Sequence, residues 1–306
     1  MGTNKVLFIG LSCVGDVVMT SPVIQVLKGK FPEASIDFVA DKRSRVLYEN
    51  IPGLGKIVIK NKGHFLRGAP DLIRRLRKTR YDIIVDVRTD GLAYLLRAKK
   101  RYTKWSARSY GGHAVEDLMG VIAALHGNNP IPDTHVWLSD TNRTYAEKEI
   151  SVFNDKDRLL ALSVGNARQP FKSWSTDKFI ELLNRHSDDF SGIIFLGNHL
   201  EAEKTQEVIN KIDSAHINTV GNSLLDAAAL MERSCLYIGP DSGLGHIASA
   251  VKTPTISFFS VVSPKRYRPW GDKAACIVGA NDDARKISVD EVSLAIKEVL
   301  NERGIA

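Results

Sequence analysis

The feature that most constrains this 306-residue chain is an alternation that it runs through twice. Short β-branched, apolar runs alternate with longer amphipathic stretches. Strands buried on both faces read as short apolar runs, and the helices that cross between them carry a 3.6-residue period. The pattern therefore predicts repeated βα units. In the first half it predicts strands at Lys5–Gly10, Ser35–Val39, Lys56–Lys60 and Asp82–Asp86, with helices at Asp16–Lys30, Arg43–Glu49, Gly68–Thr79 and His113–Leu125. The second half restarts with strands at Arg158–Ser163, Gly192–Leu196, Leu236–Ile238 and Thr255–Phe259. Its helices are expected at Thr176–His186, Leu200–Ile212, Leu224–Arg233, Leu244–Val251 and Val289–Asn301. Thr141–Ile150 reads as a helix leading to a linker at Asn154-Asp155-Lys156-Asp157, which divides the chain into domains 1–154 and 155–306. The expectation is an α/β protein of two Rossmann-like, parallel-sheet domains facing across a cleft. Ligand is expected at the carboxyl ends of the strands.

Several classes are excluded. No apolar run approaches the roughly 18 residues of a spanning helix. Met1–Lys5 leads straight into a strand without a signal peptide's apolar core, so a cytoplasmic protein is expected. Cys13, Cys235 and Cys276 are far apart, with no CxxC pair and no HExxH, so neither a structural zinc nor a disulfide framework is expected. The net charge of +7 is uneven: residues 1–150 carry 24 Lys/Arg against 15 Asp/Glu, and residues 151–306 carry 18 against 20. A basic first half suits an anionic partner, whether nucleic acid, a membrane surface or a phosphorylated substrate; a solvated basic face fits the same counts.

Three loops carry the chemistry. Gly10-Leu11-Ser12-Cys13-Val14-Gly15-Asp16-Val17 has the glycine spacing of a phosphate loop, but Asp16 and Val17 stand where that motif needs Lys and Ser or Thr. A carboxylate facing polyphosphate would repel it, so a nucleoside triphosphatase is excluded, and G-x-G-x-x-G is also missing. Two roles remain for Asp16. Its carboxylate could cap the helix, which spacing favours, or take a proton from a hydroxyl. Gly239-Pro240-Asp241-Ser242-Gly243-Leu244-Gly245-His246 follows an apolar strand and opens a small-residue helix. Free N–H groups at such a start bind phosphate; Asp241 could cap the helix, Ser242 donate to phosphate and His246 reach the same anion. A tight turn whose glycines only permit close packing is the alternative. The long loop Val164–Trp174 offers Lys172 to a diphosphate, while Phe171 and Trp174 could stack on a base or pack beneath the loop. Glu201, four residues after Gly197, is either a ribose-binding acid or a first-turn acid favoured by the helix dipole.

In combination these segments resemble glycosyltransferase family 9, the lipopolysaccharide heptosyltransferases. The resemblance rests on Val6–Pro22 with its Gly15-Asp16-Val17 centre, on Phe31–Val39, on Lys172-Ser173-Trp174 and on Asp241–His246. Thr253-Pro254-Thr255 and Pro269-Trp270-Gly271 add to it. It implies a GT-B fold, with an acceptor-binding first domain and a donor-binding second one. It also implies inverting transfer from ADP-heptose with no cofactor and no catalytic metal. By the same resemblance Asp16 is the general base, overriding its reading as a cap. Lys172 and the Asp241, Ser242, Gly243 and His246 loop bind the donor phosphates, and Glu201 binds the ribose. The implied acceptor is an anionic, lipid-linked saccharide at the inner face of the inner membrane, with peripheral membrane contact and no role for nucleic acid. Lys60, Lys62 and Arg67 are candidate acceptor-binding residues; each could equally be a solvated surface charge. The chain departs from the family pattern at Gly165–Pro170, and at Ser260-Val261-Val262 where the family often has Gly-Pro. Alternatives are the same chemistry with another donor sugar or a protein acceptor, a nucleotide-sugar epimerase on this fold, and a non-catalytic nucleotide-sugar binder.

Overall fold

The computed structural model describes residues 3–60, 65–88, 91–107, 111–165, 172–302 and 304, with backbone alone at 65–68 and 106. Two units emerge, Met1–Trp137 and Leu138–Ala306.

In the first unit, strands β1 (Lys5–Ile9), β2 (Ser35–Ala40), β3 (Leu54–Ile59), β4 (Tyr81–Asp86) and β5 (Ala98–Thr103) form one parallel sheet in the order β3-β2-β1-β4-β5. The strand order reverses between β1 and β4, which makes the loops after these two strands the topological switch point. Sequence patterning anticipates four of the five strands and misses β5, Ala-Lys-Lys-Arg-Tyr-Thr. Its lysines are exposed because it is an edge strand, where charge blocks further pairing.

The expected helix from Asp16 to Lys30 is two helices, α1 (Val14–Met19) and α2 (Ser21–Lys30). Pro22 cannot donate the N–H that would continue the first helix. Instead the Thr20 hydroxyl bonds Val17 O and the Ser21 hydroxyl bonds Val18 O, each at 2.6 Å. The α3 helix (Phe65–Leu76) covers one sheet face through Leu72 and Leu76, beside Leu92 of the 3-10 turn Leu92–Leu95 and Leu96 just after it. The expected helix at 113–125 is also split, into α4 (Ala114–Val121) and α5 (Ala123–His126). Arg43–Glu49 contains only the 3-10 turn Arg45–Tyr48.

The second unit begins with α6 (Asp140–Glu149). Next come β6 (Leu159–Leu162), α7 (Thr176–Arg185), β7 (Gly192–Phe195), α8 (Ala202–Ile209), β8 (His216–Asn218) and α9 (Leu224–Glu232). The chain continues through β9 (Leu236–Pro240), α10 (Gly243–Ala250), β10 (Thr255–Phe259), α11 (Pro264–Tyr267), β11 (Ala274–Val278) and α12 (Val289–Glu302). The six-stranded parallel sheet runs β11-β10-β9-β6-β7-β8, and its switch point lies between β6 and β9.

The division at Trp137/Leu138 falls before the linker read from the sequence, so α6 belongs with the second unit. It packs on α9, where Asn142 Nδ2 donates to Asp226 Oδ1 at 2.9 Å and Arg143 Nε pairs with Glu232 at 2.9 Å. Among the described residues no helix is long and apolar enough to cross a membrane.

Candidate functional site

The loops singled out in the sequence fall at the two switch points. In the second unit, Lys172 lies after β6 and Asp241 after β9. Lys172 Nζ pairs with Asp241 Oδ2 at 2.9 Å, with the two side chains only 15% and 12% exposed. The pair thus spans neighbouring strands at their carboxyl ends. Asp241 N donates to Phe258 O at 2.9 Å, which ties the acid to β10 as well. Asp241 does not cap α10 as the sequence suggested. The N-cap is Ser242, in extended conformation, and no side chain caps the helix. The Ser242 hydroxyl is buried without a hydrogen-bond partner among the described residues. Gly245 serves the close-packing role: a Cβ there would stand 3.0 Å from Ser257 Oγ. His246 is buried, at 6% exposure.

The backbone that carries Lys172 is fixed from below. Trp174 is buried, packs edge-on to Phe179 and donates from Nε1 to Ile287 O at 2.8 Å. Packing, not base stacking, is its role. Phe171 and the 166–170 loop lie outside the described residues. Lys204, which sequence reasoning missed, donates from Nζ to Trp174 O at 2.6 Å. Burial lowers its pKa, against the pull of Glu207 and Glu201. The signal for Lys204 is its position in the helix that opens after Glu201, three residues on.

Glu201 lies after β7, one strand further out. It closes a capping box with Asn198, accepting that residue's N–H at Oε2, 2.8 Å. Gly197 makes this fold-back possible, since a Cβ there would stand 2.5 Å from Oε2. Burial raises the Glu201 pKa, opposed by the Asn198 backbone bond and by Lys204. Buried Tyr237, on the central strand β9, has its phenol pushed up by burial.

In the first unit, Asp16 follows β1 as the third residue of α1. The N-cap there is Cys13, with no side-chain cap, so Asp16 is a first-turn acid and not the cap. Across the switch point, Arg88 follows β4. Its Nη1 donates to Ser12 Oγ at 2.7 Å, and its backbone N–H is held by Asp86 Oδ1 at 2.9 Å. Sequence reading missed Arg88; its only signal is a cation two residues beyond a buried strand. Lys60 follows the edge strand β3, about 10 Å from β1 at 4.7–4.9 Å per strand. Lys62 lies outside the described residues, and Arg67 is described only as backbone within α3. Among the described residues no His, Cys, Asp or Glu cluster could hold a metal ion.

Chemically, the second unit offers a part-buried ammonium and a helix N-terminus at the carboxyl ends of neighbouring central strands, a cradle for an anion. The first offers a carboxylate in the first turn of a helix, with a guanidinium fixed on the neighbouring strand.

Comparisons with known proteins agree with this architecture. The sequence model of glycosyltransferase family 9 (heptosyltransferase) matches residues 70–294. Lipopolysaccharide heptosyltransferase 3 of Escherichia coli K12 is 28% identical over 291 residues, covering 84% of this chain and 82% of that protein. The crystal structure of a glycosyltransferase family 9 protein from Veillonella parvula superposes with a TM-score of 0.86 at 22% identity, covering 99% of this chain and 98% of the other. The E. coli heptosyltransferase WaaC with ADP-2-deoxy-2-fluoro heptose superposes with a TM-score of 0.77 at 17% identity, covering 96% and 99%. The fold is thus GT-B, and the chain is a glycosyltransferase that belongs to family 9, the heptosyltransferases.

Proposed function

We propose that this enzyme transfers heptose from ADP-heptose to an anionic lipopolysaccharide inner-core acceptor, with inversion at the anomeric carbon. The observation that carries the donor assignment is the part-buried Lys172–Asp241 pair beside the uncapped start of α10. A diphosphate gains from a cation and free backbone N–H groups together. Relatives named as lipopolysaccharide heptosyltransferases, and a neighbour with an ADP-heptose analogue, support the sugar and the nucleotide.

In this reading the first unit receives the acceptor and the second holds the donor. Asp16 takes the proton of the acceptor hydroxyl as that oxygen attacks the anomeric carbon. The bond to the ADP oxygen breaks, and the charge gained by the diphosphate is met by Lys172 and by the N–H groups at Ser242 and Gly243. His246 supports that loop from inside, Glu201 accepts from the ribose hydroxyls, and Lys60, Lys62 and Arg67 attract the acceptor's anionic groups. No cofactor is required, and the work is done in the cytoplasm against the inner membrane.

The test supplies ADP-heptose or UDP-sugars in excess EDTA, with and without a lipopolysaccharide-core acceptor, and reads the new linkage by NMR. Acceptor-dependent use of ADP-heptose with an inverted anomer is expected. Conversion of donor without acceptor would make the protein an epimerase, and inactivity with ADP-heptose would overturn the sugar.

A further inference from the structure

The two faces of the second unit's sheet differ in chemistry. Leu162, Ile238 and Phe258 carry one face into an apolar cluster with α7 and α12. On the other face the register sets Tyr237 beside Thr255 and Gly239 beside Ser257, since residues two apart on a strand share a face. The hydroxyls of Tyr237, Thr255 and Ser257 are buried there, and none has a hydrogen-bond partner among the described residues. Burying a hydroxyl unpaired is unfavourable, and such groups are few in folded proteins.

Tyr237 is the one that reaches the donor loop. Its side chain runs along β9 toward the carboxyl end, so that a Cβ on Gly239 would collide with Tyr237 Oη. Tyr237 is fully buried, and position 239 admits the phenol because it has no side chain. The same point above Gly239 lies 3.2 Å from Ser163 Cβ, just after β6. The first turn of α10 rests on the ring's edge: a Cβ on Gly245 would stand 3.7 Å from Tyr237 Cε1. Burial pushes the phenol up, and the hydroxyls of Ser242 and Ser163 pull it down. The hydroxyl end of Tyr237 therefore sits among Gly239, Ser163 and Ser242.

Ser242 faces it from above. This residue is the N-cap of α10 and is itself half-buried, yet its Oγ is fully buried and also without a partner among the described residues. The hydroxyl is thus turned into the protein, toward the strand that carries Tyr237.

We propose that Tyr237 is a positioning residue for the donor: its hydroxyl donates to Ser242 Oγ as a diphosphate settles on the start of α10, and so fixes the backbone whose N–H groups meet the phosphate. This role rests on the donor site proposed above. A bond made only in the complex adds to affinity for ADP and not to the stability of the free fold.

Tyr237→Phe removes the hydroxyl and keeps the ring. Its Kd for ADP, measured by calorimetry on the full chain, should rise about three- to tenfold, the range of one neutral hydrogen bond. Its melting temperature without nucleotide should be no lower than that of wild type, and its Michaelis constant for the acceptor should be unchanged. Ser242→Ala should also weaken ADP binding, and the double variant should lose no more than Ser242→Ala alone, because the two hydroxyls form one bond. An unchanged Kd in Tyr237→Phe, beside a weakened one in Lys172→Ala, would overturn the positioning role and leave the donor site standing. Unchanged ADP affinity in both Lys172→Ala and Tyr237→Phe would remove the donor site and this role with it. Losses that add in full in the double variant would overturn the role, as would a lowered melting temperature in Tyr237→Phe with acceptor and ADP weakened alike.

Discussion

Asp16 occupies the third position of α1, where the helix dipole favours its ionised form and Cys13 has already taken the cap position. Asp16→Asn keeps the size and shape of the side chain and removes the charge that a base needs. Asp16→Asn should therefore lower the transfer rate by about 10²–10⁴-fold, the usual contribution of a general base, and leave ADP affinity unchanged by calorimetry. Wild-type turnover in this variant would end the base assignment. Lys172 is a different case, because its partner is mostly buried. Truncating it removes a charge-assisted contact of about 1.5–3 kcal/mol, about tenfold or more in ADP affinity. It also strands the Asp241 carboxylate, which destabilises the fold. The two effects separate in the double variant Lys172→Ala with Asp241→Asn, whose melting temperature should recover while its ADP affinity stays low. Recovery of ADP binding there would mean that Lys172 only neutralises Asp241. The placement of Asp16, Lys172 and Asp241 beyond strand ends was legible because each follows an apolar run that reads as a buried strand. Arg88 was not, since its place depends on a bond to Ser12 across 76 residues.

At the scale of elements, apolar runs announced the central strands because both of their faces are covered. They failed at three of the four edge strands: β5 with its exposed lysines, the three-residue β8, and β11; the edge strand β3 was read. Helix continuity through Thr20 was misread because the break depends on two hydroxyls taking the carbonyls of Val17 and Val18, which periodicity does not register. The Glu201 turn sets one side chain's capping bond against its burial. Its carboxylate completes a capping box yet is raised in pKa by burial. A carboxylate whose folded-state pKa is raised contributes stability that is complete below its unfolded value and is lost as pH rises through the folded one. Glu201→Gln keeps an oxygen for the Asn198 N–H but has no charge to desolvate. The variant should melt higher than wild type at about pH 8, and the difference should close at about pH 4, where the acid is substantially protonated in either state. Its affinity for the ADP donor should fall several-fold, since a charged acceptor toward the ribose is gone. A melting difference independent of pH would mean that burial of the charge is not what the turn works against.

Across the whole molecule the charge is divided along the same line as the fold. Met1–Trp137 carries 22 Lys/Arg against 12 Asp/Glu, and Leu138–Ala306 carries 20 against 23. Moving the boundary to Trp137 makes the contrast sharper than the sequence reading had it, because α6 and its acids join the second unit. A field of this kind acts at a distance and is screened by salt, whereas a short contact inside a largely buried pair is screened much less. The two substrates of the proposed reaction should therefore respond differently to ionic strength. An anionic acceptor drawn by Lys60, Lys62, Arg67 and the other basic residues of the first unit feels the field as a whole. The Debye length shrinks from about 30 Å at 0.01 M salt to about 8 Å at 0.15 M, so much of that attraction should vanish over this range. In the proposed reaction the donor diphosphate would be held instead by Lys172 and the α10 amides, at contact distance. Michaelis constants measured for both substrates across the range, with a lipid-free acceptor, should show the acceptor's rising several-fold and the donor's nearly constant. If both rise together, the diphosphate is also drawn by long-range charge and the division of labour between the units fails. If neither rises, the basic surface of the first unit takes no part in drawing the acceptor, and its recognition rests on short contacts around Asp16 and Arg88.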